Sequence, residues 1–253
     1  MPVLSGGESA FADDDGSADP GAAAALAAFG SGRGSEHAAL TALASSRLLV
    51  PVVAVASGRA GRAPAAAGQA AAAPGPPGQG RPGGGGRGSE MSLPTLIGRD
   101  GRPAIPAFTC MDALARWDGK ARPVPAFAAR VWRAAADGSC AVVVDIAGPV
   151  PLAVDGARLA ALAAGRPVPL PHQDPDVLAA VRAAAAGQPA IAEVRVAAGS
   201  DLQVQVALAP GCPAARGAEV IRLLAAELMA QLGARLRRGI EIAVIPAAGH
   251  RGP

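Results

Sequence analysis

Residues 92–117 read SLPTLIGRDGRPAIPAFTCMDALARW, and this stretch decides the fold class. Asp100 and Gly101 lie between two apolar runs, and glycine readily adopts the positive φ angle that tight hairpin turns require. We therefore predict antiparallel strands at about residues 92–98 and 103–108. A helical pattern follows the second strand directly and continues to Trp117. A hairpin followed at once by a helix indicates an α+β fold.

The start of this helix contains a candidate reactive thiol, Cys110. Thr109, followed three residues later by Asp112, matches a capping pattern in which Thr109 accepts hydrogen bonds from first-turn amides. A helix N-terminus stabilises a thiolate, so the functional alternative is a thiol-dependent enzyme that uses Cys110. No CxxC motif accompanies this cysteine, and no motif links it to a histidine. Because free cysteine is most often a small buried hydrophobe, we expect Cys110 to be structural.

A second candidate for chemistry is Asp145, near the end of an apolar run at residues 140–146 that is typical of a central strand. No partner carboxylate is visible for it, and an acid before a Gly-Pro turn is common. The glycine run at 83–88 lacks the lysine-serine ending and the following helix of a phosphate-binding loop. The three cysteines, Cys110, Cys140 and Cys212, match neither a zinc pattern nor a disulfide framework. We expect no catalytic residue, no metal and no cofactor.

Composition argues against nucleic-acid and membrane partners. The chain has 23 Lys and Arg against 20 Asp and Glu, no Tyr, 2 Trp and 4 Phe, so a basic surface with stacking aromatics is not predicted. We expect the basic cluster at residues 235–238 to oppose the dipole at a helix end. No long apolar stretch lacks charges and breakers, and the first residues do not resemble a signal peptide. These features favour a cytoplasmic protein.

The chain divides into ordered and low-complexity parts. Residues 1–20 are predicted to be a disordered acidic tail, and residues 57–88 a disordered insertion rich in Gly, Pro and Ala. Each doubling of loop length costs only about 0.6 kcal/mol, so a fold can tolerate the insertion. We predict one domain over residues 21–165 and a second over residues 166–248.

Local patterns suggest the elements of these domains. Asp19, Ser35 and Asp174 are placed to start helices, and residues 47–55 form a branched apolar run in which Pro51 indicates an edge position or a bulge. Residues 202–208 alternate strictly between apolar and polar or small side chains, which is typical of half-buried antiparallel strands. A helix over about residues 214–236 and a last strand, IEIAVI, complete the chain. The prediction is a mixed, largely antiparallel sheet with packed helices.

Four stretches together resemble the actinobacterial branch of the SseB family, which is named for enhanced serine sensitivity. They are LLVPVVAV (48–55), EMSLPTLIGRDGRPAIPAFTCMDALARW (90–117), ARPVPA (121–126) and AVVVDIAGPVPLAV (141–154). The resemblance implies an SseB N-terminal domain over residues 21–165 and, more weakly, the family's C-terminal domain after it. The shared motifs are apolar and turn-forming, so the resemblance implies a fold and no catalytic residues.

We therefore expect a non-catalytic module that binds a protein partner or regulates metabolism. Arginine recurs at binding hot spots, so Arg99, Arg102 and Arg116 are the candidate partner surface. A small-ligand sensor with a pocket between the two subdomains is an alternative. A translocon component of type III secretion shares the family name, but that role would need long amphipathic or hydrophobic helices, which the sequence does not predict. The identity of the partner and the oligomeric state stay open.

Overall fold

The structure, a computed structural model, describes residues 11–56, 89–92, 94–98 and 101–246. The predicted insertion at 57–88, the first ten residues of the predicted tail and Arg99 lie outside these ranges. Within them the elements follow the order α1 (Pro20–Gly30), α2 (Glu36–Leu43), β1 (Arg47–Ala56), β2 (Ser89–Ser92), β3 (Leu96–Ile97), β4 (Pro103–Ala107), α3 (Met111–Trp117), β5 (Arg122–Phe127), α4 (Ala128–Asp137), β6 (Ala141–Val144), β7 (Leu152–Val154), α5 (Gly156–Ala163), a 3₁₀ turn (Pro171–Gln173), α6 (Pro175–Ala186), β8 (Ile191–Ala197), β9 (Leu202–Leu208), α7 (Ala214–Leu232) and β10 (Ile240–Ile245).

The strands form three sheets, with the orders β2-β1-β5, β3-β4-β6-β7 and β10-β9-β8. Among the described strands, β4–β6 and β10–β9 are parallel pairs and the other five pairs are antiparallel. Helices pack against these sheets, which confirms the predicted α+β class with a mixed, largely antiparallel arrangement. The predicted hairpin is also present, since β3 and β4 are antiparallel and Gly101 has a φ of 79°.

Side-chain caps begin three of the helices where the sequence predicts them. Asp19 accepts a hydrogen bond from the amide of Ala22 at 2.8 Å, and Ser35 accepts one from Ala38 at 3.2 Å. Asp174 accepts from the amide of Asp176 at 2.9 Å at the start of α6. Each cap satisfies an amide that has no partner inside its own helix.

Strand β5 was not predicted, because Pro123 and Pro125 interrupt its sequence. Leu49 of β1 exchanges backbone hydrogen bonds of 2.7 and 2.8 Å with Phe108, on the side away from β5. Leu49 and Pro125 therefore form a non-hydrogen-bonded pair, and so do Pro51 and Pro123 two residues along. A proline nitrogen carries no hydrogen to donate, and at these positions the β1–β5 ladder needs no donor. Both strands can therefore accommodate their prolines.

Two main hydrophobic cores divide the described chain into two lobes. The N-terminal lobe (residues 11–168) is built around the fully buried Trp132 and Phe29, with α1, α2, α4 and α5 contributing to the core. The C-terminal lobe (residues 171–246) packs α6 and α7 against β9, with Leu224 and Leu228 fully buried. Each large buried aliphatic side chain contributes about 1.5–3 kcal/mol. Whether the lobes are independent folding domains stays a prediction.

Two predicted boundaries differ from the structure. Residues 11–19 were assigned to the disordered tail, but Asp14 pairs with Arg47 at 2.7 Å and the Phe11 ring lies 4.8 Å from that of Phe127. Asp14 is one of the acidic residues from which the sequence predicts disorder, but in the structure Arg47 neutralises its carboxylate. Helix α7 ends at Leu232 rather than near residue 236. Across the described ranges, no helix combines the length and apolarity needed to cross a membrane.

Candidate functional site

The prediction that Thr109 caps α3 is wrong. Its hydroxyl donates to Oδ2 of Asp145 at 2.7 Å, and its amide donates to Oδ1 at 2.8 Å. Cys110 is instead the residue before α3, with extended backbone and no capping side-chain bond, and it is half-buried. The amide of Met111 is satisfied from outside the helix, by the carbonyl of Gly16 at 2.9 Å. Cys110 packs against the small core that contains Phe108, so it sits beside apolar side chains.

Asp145 is a buried structural link between β6 and α3. It has a φ of 49°, in the left-handed region that aspartate tolerates better than most residues. Burial raises the pKa of the Asp145 carboxyl, while the two hydrogen bonds from Thr109 and the charge of Arg116 oppose this shift. Because Thr109 engages both carboxylate oxygens, Asp145 holds the start of α3 against the end of β6.

The structure places the described arginines of the predicted partner surface, Arg102 and Arg116, in different surroundings. Arg102 follows the turn of the hairpin and directly precedes β4. Its side chain is 65% exposed and pairs with Asp155 at 3.0 Å. Arg116 lies in the last turn of α3, on the side of the lobe where its charge acts on Asp145. Arg99 lies outside the described residues. A shared surface of these three arginines stays a prediction, whereas Arg102 belongs to a site that both lobes build.

That site is a cleft of about 530 Å³ between the lobes. The N-terminal lobe contributes β7 and α5, and the C-terminal lobe contributes α6, the end of α7 and the turn after it. Its charged and polar lining residues are Glu36, Arg102, Asp155, Arg158, Asp176, Gln231, Arg235 and Arg237. The predicted pocket between the two subdomains corresponds to this cleft in position.

A chain of alternating charges forms the floor of the cleft. Nη2 of Arg158 lies 2.5 Å from Asp155, and its Nη1 lies 2.5 Å from Glu36. Arg235 continues the chain from the other lobe, with Nε 3.1 Å from Glu36 and Nη2 2.5 Å from Asp174. Glu36, Arg158 and Asp174 are each at most 5% exposed at the side chain. The chain thus joins two segments of the N-terminal lobe, which contain Glu36 and Asp155 with Arg158, to two segments of the C-terminal lobe, which contain Asp174 and Arg235.

Burial and charge act in opposite directions on the floor residues. Burial raises the pKa of the Glu36 carboxyl, and the guanidinium groups of Arg158 and Arg235 oppose that shift. Burial alone would lower the pKa of Arg235, but Glu36 and Asp174 together raise it above its ordinary value. Arg235 therefore stays charged, and the charged form of Glu36 is favoured by the two arginines that oppose the effect of its burial.

Asp176 connects the two lobes at the start of α5. Its Oδ2 accepts a hydrogen bond from the amide of Ala157 at 2.8 Å, although Asp176 belongs to α6. Gly156 makes this approach possible, because a Cβ there would lie 2.1 Å from the same oxygen, and its φ is 54°. A carboxylate at a helix N-terminus is favoured by the helix dipole. Asp176 thus caps the neighbouring lobe's helix.

The basic cluster at residues 235–238 does more than close α7. Arg235 reaches Glu36 and Asp174, and Arg238 pairs with Asp201 at 3.0 Å. Arg237 lies over the ring of Phe29 at 4.6 Å and donates to the carbonyl of Gly30 at 3.1 Å. The prediction of a simple helix-end cluster was incomplete, because these partners are distant in sequence and no local pattern indicates them.

A smaller pocket of about 290 Å³ adjoins the cleft and shares Arg102, Asp155 and Gly156 with it. Cys140 lies in its wall, half-buried, and its thiol donates to the carbonyl of Gly138 at 3.2 Å. Within the described ranges, no three His, Cys, Asp or Glu side chains come together in a way that could hold a metal ion. The charged cleft is the site where side chains from both lobes converge.

Comparison with known proteins identifies the N-terminal lobe. No curated protein and no solved structure matches the chain. The family model described as the SseB protein N-terminal domain matches residues 23–161, which run from α1 into α5 and include Glu36, Asp155 and Arg158. The match confirms the predicted SseB N-terminal domain and places the N-terminal wall of the cleft inside the matched domain. Because the model covers more than half of the chain, the protein belongs to the SseB family.

Proposed function

We propose that this SseB-family protein is a non-catalytic, regulatory binding protein that takes a small polar ligand in the cleft between its lobes. One observation carries the proposal: charged side chains from both lobes converge on one cleft of about 530 Å³. Small-molecule sites have volumes of about 300–1,000 Å³ and often lie between domains. A ligand held there would touch both lobes and bias their relative position, which is how a sensor transmits binding.

The two side chains that the sequence offered for catalysis support a structural reading. Cys110 packs at the start of α3 beside the small apolar core, and both oxygens of Asp145 are engaged by Thr109. The carboxylates in the cleft are likewise engaged, since Glu36 and Asp155 pair with arginines and Asp176 caps α5. A general base needs an uncommitted lone pair directed at substrate. These contacts favour binding over turnover.

The test is native mass spectrometry of the full chain purified gently from its host. We expect a small molecule to remain bound to the wild-type protein. Gln231→Trp places an indole in the cleft from α7 and should release that molecule. Ala226→Trp is the matched control, because Ala226 is also exposed on α7 but does not line the cleft. Equal retention by both variants would show that the molecule binds elsewhere.

A second candidate function, a protein-interaction module, is favoured by apolar side chains exposed near the N-terminal segment. Phe127 is 47% exposed and Met111 is 40% exposed, and Phe127 contacts Phe11. Aromatic residues and methionine are enriched at protein interfaces. Phe127→Glu should release a co-purifying protein that Val244→Glu retains, because Val244 is also exposed but lies on β10 in the C-terminal lobe. Retention by both variants would remove this candidate.

We also propose a cytoplasmic location. Cys110, Cys140 and Cys212 are all free thiols in the structure. The reducing cytoplasm keeps thiols in this state. Labelling of the protein by a thiol reagent in intact cells and in cell fractions would test the location, and recovery in an oxidising compartment would contradict it.

A further inference from the structure

Arg237 has an unusual position among the arginines of the cleft. Its Nη1 donates to the carbonyl of Gly30 at 3.1 Å and its Nε to that of Ala234 at 3.4 Å. The guanidinium also stacks over Phe29, with 4.6 Å between its carbon and the ring centroid. These contacts are carbonyls and a ring, and none of them is a carboxylate. The guanidinium is therefore positioned while its full positive charge remains at the wall of the cleft.

The carboxylates of the cleft are engaged by the protein itself. Glu36 lies between Arg158 and Arg235, and Asp155 lies between Arg158 and Arg102. Four arginines and three carboxylates line the cleft, and a fourth carboxylate, Asp174, lies buried behind Arg235. The formal charges therefore balance, and the arginines differ in their partners. Glu36, Asp155 and Asp174 are paired with arginines, and the exposed Asp176 accepts from the amide of Ala157. Arg237 is exposed, and its contacts include no carboxylate.

We infer that the cleft recognises an oxyanion, either a carboxylate or a phosphate group of a small molecule, and that Arg237 is its main contact. This inference rests on the proposed ligand-binding function. A planar guanidinium offers two parallel donors that match the spacing of carboxylate and phosphate oxygens. Stacking and backbone contacts hold the Arg237 side chain in place before the ligand arrives. Binding would therefore cost little additional side-chain conformational entropy. Arg102 also lines the cleft and is a second arginine that a ligand bound there could contact.

Isothermal titration calorimetry on the full chain tests the inference, with inorganic phosphate and citrate as separate probes at low ionic strength. Matched titrations with chloride control for general screening. Arg237→Gln removes the charge and keeps most of the side-chain length. Arg216→Gln removes the same charge from α7, where Arg216 is exposed, pairs with Glu219 and does not line the cleft. Arg237→Lys keeps the charge but loses the planar fork.

We expect at least one probe to bind saturably to the wild-type protein, and Arg237→Gln to weaken it about tenfold or more. Arg216→Gln should bind within about twofold of wild type, and Arg237→Lys should be intermediate. The probe that binds shows whether the oxyanion is a phosphate or a carboxylate. Denaturant unfolding of each variant verifies that the lobes remain folded.

Three results would overturn the inference: neither probe binds, Arg237→Gln and Arg216→Gln weaken binding equally, or Gln231→Trp leaves probe binding unchanged. The proposed function can fail separately. If Gln231→Trp still displaces a retained molecule while neither probe binds, the cleft binds a ligand that is not recognised through an oxyanion. If the probes bind and Gln231→Trp has no effect on them, the oxyanion site lies outside the cleft and the inference fails, whereas the proposed function fails only if Gln231→Trp and Ala226→Trp retain the co-purifying molecule equally.

Discussion

Glu36, the first residue of α2, and Arg235, three residues beyond α7, lie 3.1 Å apart although 199 residues separate them in the chain. Arg158 reaches the other oxygen of Glu36 at 2.5 Å. One carboxylate thus pairs with two guanidinium groups at the contact between the lobes. The relation of the lobes therefore depends on a side chain that looks, in sequence, like an ordinary first-turn helix residue.

Glu36→Ala should destabilise the protein by up to about 3–5 kcal/mol, because it removes a buried carboxylate that lies between two guanidinium groups. Arg158 would keep only Asp155 as a partner, and Arg235 only Asp174. Urea unfolding monitored by circular dichroism measures this change. Glu219→Ala is the control, since Glu219 pairs with Arg216 while both side chains are about half exposed. Such exposed pairs contribute only about 0–1 kcal/mol. Similar losses for both variants would show that the floor of the cleft is not a stabilising contact.

Thr109→Val should destabilise the protein by about 1–3 kcal/mol, because it leaves Asp145 Oδ2 buried without its hydroxyl donor. The volume of the side chain is nearly unchanged, so packing is a small part of the loss. Thr41→Val is a useful comparison. The Thr41 hydroxyl also donates a hydrogen bond, to the carbonyl of His37, but this bond is exposed to solvent. Denaturant unfolding should show the larger loss for Thr109→Val, and the reverse order would contradict the assigned role.

Asp145 should give the protein a specific pH dependence. Burial raises the pKa of its carboxyl above the ordinary value of 3.8, so the folded state holds this proton more tightly than the unfolded chain. The contribution of Asp145 to the free energy of unfolding therefore falls as the pH rises from 3.8 through the raised folded-state pKa. Asp145→Asn does not titrate, and it can keep both contacts to Thr109 because its Oδ1 accepts from the Thr109 amide while its Nδ2 donates to the Thr109 hydroxyl.

The stability of Asp145→Asn relative to wild type should increase with pH above about 4 and level off beyond the folded-state pKa. Urea unfolding at a series of pH values gives this difference. Asp137→Asn, at an exposed position at the end of α4, corrects for the change in net charge. A relative stability that declines over the same interval would mean that the folded state favours the ionised carboxylate.

Cys110 should react with iodoacetamide no faster than a thiol in an unstructured peptide at neutral pH, because it is half-buried against apolar side chains. Mass spectrometry of tryptic fragments separates its labelling from that of Cys140 and Cys212. Cys110→Ala should retain ligand or partner binding. Rapid labelling of Cys110, together with loss of function in Cys110→Ala, would restore the thiol-dependent enzyme as the better reading.

Contacts within one turn of the chain were predictable, and contacts between distant segments were not. Asp19 and Ser35 cap the helices that follow them because their partners lie three residues away. Thr109 shows the same local pattern, yet its hydroxyl bonds to Asp145, 36 residues along the chain, because the buried carboxylate requires that donor. A capping pattern identifies a helix start, whereas the choice between competing acceptors is made by tertiary structure.

The candidate site follows the same division. The sequence suggested a pocket between two subdomains, but it assigned Arg102, which lines the cleft, to a protein-partner surface. It did not indicate Glu36 or Arg158, since a helical Glu and Arg usually face solvent and only a partner from another element allows their burial. Strand β5 was missed for a related reason, because Pro123 and Pro125 are tolerated only in the register with β1.

The last prediction concerns the insertion at residues 57–88, which lies outside the described residues. Its two ends are Ala56 of β1 and Ser89 of β2, and these residues are direct antiparallel partners. Partners of this kind have Cα atoms about 4.5–5.5 Å apart, a distance that a two-residue Asn-Gly turn spans. Replacing residues 57–88 by Asn-Gly should preserve the fold and stabilise it by up to about 2 kcal/mol, because a shorter loop costs less entropy to close. Urea unfolding of the shortened chain gives the sign. A cooperative transition at higher urea is the expected result, whereas a broad or weakened transition would show that the insertion contributes contacts to the folded protein.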